Sequence, residues 1–296
     1  MELNFFRYKN IFIFLSSFFF IISIISIVFK GFNFGVDFKG GTLIEIKSEQ
    51  SIKIENLRIS LNKNKYENFS VKEFGSDRNF VIYFDIKENK PSLAQDLKNN
   101  LEKDIKEKIT IRRVENVGPK ISEELIKAGF LSLILCILAI YFYLWLRFEW
   151  QFSLGGIIAL LHDIVITSGF FSFFSLQFDV SIVAALLTIL GYSINDTVVI
   201  YDRIRENLKR DSKSDLQLLI NESLNNTLSR TIKTSLTTLF VVIVIFFFGG
   251  EVLRGFAFAV SFGIIVGTYS SIFIASPILI YFKVKRDWTK KIDTTP

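Results

Sequence analysis

Gly191-Tyr192-Ser193-Ile194-Asn195-Asp196-Thr197 lies inside an apolar run, Val180–Tyr201. About 20 apolar residues in a helix cross the ~30 Å of hydrocarbon in a bilayer. The run therefore reads as a membrane helix with a carboxylate inside it. At 1.5 Å per residue, Asp196 falls roughly 7 Å from the middle of the run. An ionisable group at that depth is costly and needs a reason. Thr188, Tyr192, Asn195 and Asp196 recur at i+3/i+4 spacing, so they are expected to share a face that looks into a helix bundle. A carboxylate placed there loads or releases a proton as its surroundings change. The plainer reading, an acid that only hydrogen-bonds its neighbours, stays open.

Five more runs are long and apolar enough to span: Ile11–Phe29, Ala128–Leu146, Phe152–Leu176, Thr234–Gly250 and Phe256–Phe282. The first ends Val28-Phe29-Lys30 without a small-x-small site and is expected to be an uncleaved anchor. Six spans put both termini on one side. Arg7, Lys9, Arg147, the Arg203–Lys233 cluster and the tail Lys283–Lys291 gather on that side, which makes it cytoplasmic by the positive-inside rule. The expected organisation is 1–31 as tail and first span, 32–125 as an external domain, 126–282 as spans two to six with a cytoplasmic loop over 203–229, and 283–296 as a cytoplasmic tail.

Composition agrees with that division. Half of the 296 residues are apolar, 33 are Phe and 22% are charged. A disordered chain, a collagen-like chain and a small disulfide scaffold are excluded. The stretch 32–125 holds 17 Lys/Arg and 16 Asp/Glu, so nearly all of the +6 net charge belongs to the apolar part. That pattern fits membrane orientation and a lipid-bilayer partner rather than nucleic acid. One cysteine, Cys136, and one histidine, His162, leave no intrachain disulfide and too few soft ligands for a metal. No cofactor is expected.

Within 32–125 the periodicities alternate. Thr42–Ile46, Phe69–Phe74, Phe80–Ile86 and Ile109–Val114 read as strands, with a turn at Gly75-Ser76-Asp77. Ile54–Asn62 and Pro91–Lys108 read as helices, the second carrying Leu93, Leu97, Leu101 and Ile105 every fourth residue. The order β-α-β-β-α-β points to a ferredoxin-like split βαβ unit. The expected fold is thus a six-helix α-helical membrane protein with an α+β ferredoxin-like domain on the outer side.

Further groups inside the spans are candidates. Arg230, Lys233, Thr234 and Thr237 form a polar stripe at helical spacing. Arg230 is either the cation facing Asp196 or a boundary residue that snorkels to the interface. His162 and Asp163 lie in mid-span and either extend a proton path or bond neighbouring helices. Ala259, Gly263, Gly267, Ser271 and Ala275 recur every fourth residue, a small-residue stripe for close helix packing. Gly35-Val36-Asp37-Phe38-Lys39-Gly40-Gly41-Thr42 imitates a P-loop, but Gly41 stands at the lysine position and a strand follows. No ATPase site and no enzymatic activity are expected. Asp163 and Asp196 lack the Gly-x-Gly-Asp setting of an intramembrane aspartyl protease.

Several stretches, in order, resemble the SecF family of the bacterial Sec protein translocase, within the SecD/SecF branch of the RND superfamily. They are Phe34–Thr42, Val117-Gly118-Pro119-Lys120 with Glu124-Leu125, Gly191–Val199 continuing through Asp202–Glu206, Ser223-Leu224 with Thr227–Thr231 and Thr234-Ser235, and Gly267–Phe273. Lys39 and Ser122 depart from the family pattern. The resemblance implies half of an RND-type bundle in the bacterial inner membrane and a periplasmic domain after the first span. It implies the partners SecD, SecYEG, SecA and YajC, and exported preprotein chains as cargo moved with the proton-motive force. It assigns proton coupling to Asp196, with Asn195 in the same motif, and a role to Arg230. The rival reading is a proton-driven RND-type exporter of lipids or small molecules, which calls for a large apolar pocket in the outer domain. A passive scaffold is the other rival.

Overall fold

The computed structural model describes residues 3–7, 9–74, 76–85, 92–211, 214–282 and 284. It divides into two compact units, Phe34–Gly129 and Met1–Asn33 with Phe130–Pro296. Among the described residues, six helices are long and apolar enough to cross a membrane: Lys9–Phe29, Pro119–Arg147, Trp150–Phe173, Val180–Arg210, Leu216–Phe248 and Leu253–Tyr281.

The first of these is α1 (Lys9–Phe29). Its buried residues are Ser16, Ser23 and Ser26, while Phe14, Phe18, Ile21 and Ile25 are exposed. This is the reverse of a soluble amphipathic helix, as expected where the solvent is lipid and small residues let helices approach. At Gly169 an added Cβ would come 2.2 Å from Ser23 Cβ, so the two helices meet almost backbone to backbone. Ser26 Oγ and Ser172 Oγ hydrogen-bond at 2.9 Å.

The smaller unit opens with a short helix, α2 (Val36–Lys39). Gly40 and Gly41 follow at φ +74° and +109°, a region that side chains rarely enter. A Cβ on Gly41 would lie 2.5 Å from the Phe84 carbonyl oxygen. Tyr83 Oη donates to the Gly40 carbonyl at 2.6 Å. The glycine pair thus lets the chain turn tightly into β1 (Gly41–Ser48). α3 (Ile54–Lys63), β2 (Phe69–Phe74), β3 (Ser76–Phe84), α4 (Leu93–Ile105) and β4 (Ile109–Val117) complete the unit. The sheet order is β2-β3-β1-β4 with every pair antiparallel. That is the split βαβ topology. Ile44, Ile46, Phe80, Ile82 and Phe84 face Leu57, Leu61, Leu97 and Leu101 in one core. β3 starts earlier and ends sooner than its periodicity implies. Gly75, Ile86 and Pro91 lie outside the described residues.

The chain continues through α5 (Pro119–Arg147), α6 (Trp150–Phe173), α7 (Val180–Arg210) and α8 (Leu216–Phe248). α9 (Glu251–Ser270), a π turn (Ser271–Ala275) and α10 (Ser276–Tyr281) form the last span. The segment 203–229, expected as a loop, is mostly helix. α7 runs to Arg210 and α8 begins at Leu216, where Asp215 caps it by accepting from the Gln217 and Leu218 amides. Hydropathy marks where a helix meets lipid, not where it ends. Of the expected tail 283–296, only Val284 is among the described residues.

Candidate functional site

Asp196 is 3% exposed on α7. Its two oxygens each accept one long hydrogen bond from α8, from Thr234 Oγ1 and Ser235 Oγ, both at 3.3 Å. Neither is a firm hold. Thr234 has one hydroxyl proton, and the Thr231 carbonyl lies closer at 2.9 Å. Ser235 Oγ is 2.7 Å from Thr268 Oγ1 on α9. α8 thus supplies every side-chain hydrogen bond to this carboxylate found among the described residues.

Asp163 on α6 is 0% exposed and bound quite differently. Its Oδ2 accepts from Ser193 Oγ at 2.6 Å and Ser270 Oγ at 2.9 Å. Its Oδ1 is 3.1 Å from His162 Nδ1, and His162 Nε2 is 2.7 Å from Ser16 Oγ. With Nδ1 carrying the proton, the imidazole donates to Asp163 and accepts from Ser16. One carboxylate therefore ties α6 to α7 and α9 and, through its neighbour, to α1. Two apolar grooves, of about 600 Å³ and 460 Å³, border Ser16 and His162.

α9 serves both acids. A Cβ on Gly263 would lie 2.2 Å from Ile189 Cδ1, and one on Gly267 would lie 3.0 Å from Ser193 Cβ. These glycines bring α9 against α7, so that Ser270 reaches Asp163 and Thr268 reaches Ser235. Ser271 Oγ then meets Thr197 Oγ1 at 2.8 Å, and Tyr201 Oη donates to the Ala275 carbonyl at 3.1 Å. The π turn begins at Ser271, and such turns often mark functional places in helices.

Asp196, Asp163, His162, Gly263, Gly267 and Ser271 are brought into one helix bundle. Arg230 and Asn195 stand apart. Arg230 is exposed, and among the described residues no ion pair closes between it and Asp196. Asn195 and Thr188 are exposed and Tyr192 is half-buried, so the expected common face does not turn inward as a whole. One residue is a 100° rotation, which separates Asn195 from Asp196. Thr188, Asn195, Arg230, Lys233 and Thr237 instead share the exposed surface of α7 and α8. Sequence reasoning missed Ser16, Ser193, Ser270, Ser235 and Thr268 as partners. For Ser235 the available signal was the four-residue recurrence of hydroxyl residues on α8; the other four, on α1, α7 and α9, gave no such signal. Among the described residues no group of three or more His, Cys, Asp or Glu could hold a metal ion.

Comparison with known proteins gives concordant results. The family model of the protein export membrane protein SecD/SecF C-terminal region matches residues 97–285, and that of the SecD/SecF GG motif matches residues 25–52. The chain is 45% identical to protein translocase subunit SecF of Rickettsia rickettsii over 277 residues, covering 92% of this chain and 90% of the relative. It is 42% identical to SecF of Cereibacter sphaeroides over 278 residues, covering 91% and 86%. The crystal structure of SecDF from Thermus thermophilus, a translocon-associated membrane protein, matches with a TM-score of 0.87 at 35% identity. The match covers 96% of this chain and 39% of SecDF. A second SecDF structure, in a super-membrane-facing form, matches with a TM-score of 0.68 at 34% identity and the same coverage.

Proposed function

The chain belongs to the SecF family of protein translocase subunits, and on that premise we propose that it couples proton entry to preprotein export through Asp196. As a family member it is a multi-pass inner-membrane accessory subunit of the Sec translocon that acts with SecD. The finer reading extends this to SecYEG, SecA and YajC as further partners. Both termini face the cytoplasm and the α+β unit faces the periplasm, where it holds the emerging chain. No nucleotide step falls to this chain, since the Gly35–Thr42 segment lacks a Walker lysine and runs into β1.

The observation that carries the coupling is the loose hold on Asp196 beside an exposed polar face. Thr188, Asn195, Arg230 and Lys233 on helices of this composition are poorly suited to lipid. They fit a face that SecD covers with its own helices. Asp196 takes a proton, its hydroxyl bonds rearrange, and its attraction to Arg230 across α8 is lost. α7 and α8 then shift. One proton crossing is worth about 2.3 kcal/mol per 100 mV, enough to bias a conformational gap of a few kcal/mol. Asp196→Asn is expected to abolish proton-dependent stimulation of export while the complex stays assembled. Unchanged stimulation in that variant overturns the coupling.

A further inference from the structure

Below Asp196, α8 carries Ser223, Thr227, Thr231 and Ser235 at strict four-residue intervals, and all four are more than nine-tenths buried. The column starts at Asn207 of α7, whose Nδ2 donates to Ser223 Oγ at 2.8 Å. It ends at Ser235, which reaches Asp196. A small-residue stripe alone says only that two helices come close. Two atoms here say more. Thr231 Oγ1 and Asn207 Oδ1, each on a residue 1% exposed, have no hydrogen-bond partner in the protein. Buried polar atoms are rarely left so, and the usual partner is water.

The spacing suits water. Residues four apart on a helix rise by about 6 Å, and two hydrogen bonds of about 2.8 Å through one oxygen close that gap. Ser223 Oγ and Thr227 Oγ1 donate to the Leu219 and Ser223 carbonyls at 2.7 Å and 2.9 Å. A hydroxyl both donates and accepts, so each passes a proton on by turning from its carbonyl to the next oxygen, and the row turns back before the next proton. The whole column is about 18 Å long. Its far end, at Ser223, lies roughly 12 Å along α8 from the capped start at Asp215, on the side of the α7–α8 connection.

We propose that Ser223, Thr227, Thr231 and Ser235, with the waters that Thr231 and Asn207 hold, form the proton path between Asp196 and the α7–α8 connection. The path deepens the reading of Asp196 as the proton-loading group and rests on it. The four residues are positioning groups for a relay.

The test uses the chain assembled with SecD in proteoliposomes that enclose a pH-sensitive dye, with an imposed membrane potential. Thr231→Val keeps the shape of the side chain and removes the hydroxyl. It is expected to slow proton flux roughly tenfold or more, given that a positioned proton-transfer group typically contributes 10²–10⁴-fold. Thr231→Ser restores the flux. Ser223→Ala, distant from Asp196, slows it as well and stands in where Thr231→Val does not assemble. Wild-type flux in both Thr231→Val and Ser223→Ala, while Asp196→Asn stops it, overturns the path and leaves the role of Asp196 standing. Wild-type flux in Asp196→Asn overturns both.

Discussion

Two buried carboxylates on neighbouring membrane helices are held in opposite ways. Asp163 accepts from Ser193, Ser270 and His162 at 2.6–3.1 Å, and its partners come from three helices. Asp196 accepts two bonds of 3.3 Å, both from adjacent residues of α8. Burial is nearly the same; saturation is not. A charge whose lone pairs are filled by close donors is a structural tie, and removing it strands those donors. A charge held by hydroxyls that have nearer acceptors can change partners at little cost. The proposed function accordingly gives Asp163 an architectural part and Asp196 a moving one.

Deleting the tie makes the largest difference to stability. Asp163→Ala strands Ser193, Ser270 and His162 in a closed space and is expected to cost about 3–5 kcal/mol. The readout is thermal unfolding of the chain with SecD in detergent. A loss no greater than that of Asp196→Ala breaks the comparison. Single hydroxyls give a smaller version of the same test. Ser270→Ala is expected to cost about 1–2 kcal/mol and Ser235→Ala less than about 1 kcal/mol, by the same measurement. Equal losses mean that the two acids are held alike.

A third carboxylate, in the α+β unit, sets the scale outside the membrane. Asp104 accepts from Lys63 Nζ at 2.6 Å, Ser60 Oγ at 2.8 Å and Asn64 Nδ2 at 2.7 Å. These bonds, Lys63 first, bring its pKa down to about 2. The folded value lies below the unfolded one of about 3.9. Its stabilisation is therefore complete above pH ~4 and is lost as pH falls from there towards 2. Hydrogen exchange in α3 and α4, corrected for intrinsic rate, should rise across that window in wild type. Asp104→Asn should flatten the rise. An unchanged acid response in the variant contradicts the assignment.

The membrane helices were legible because lipid selects composition over about 20 residues at a time. The small unit was legible because Leu93, Leu97 and Leu101 repeat as a helix and Ile44 and Ile46 alternate as a strand. Asp196 stood out as a charge in an apolar run. Its partners did not. A serine or threonine in a helix can bond its own backbone, as Thr227 Oγ1 does to the Ser223 carbonyl at 2.9 Å. The type of residue therefore does not say which hydroxyl reaches across. Arg230 was placed near Asp196 by depth alone, yet its long side chain lies on the exposed surface of α8. On the proposed function, that surface is the one SecD covers.

Export into inverted membrane vesicles, with and without an uncoupler, tests the central claim most directly. Wild-type chain should lose its stimulation of export when the uncoupler is added. Asp196→Asn, assembled with SecD to the wild-type level, should give the same low export in both conditions. Export by Asp196→Asn that still falls on uncoupling contradicts the account.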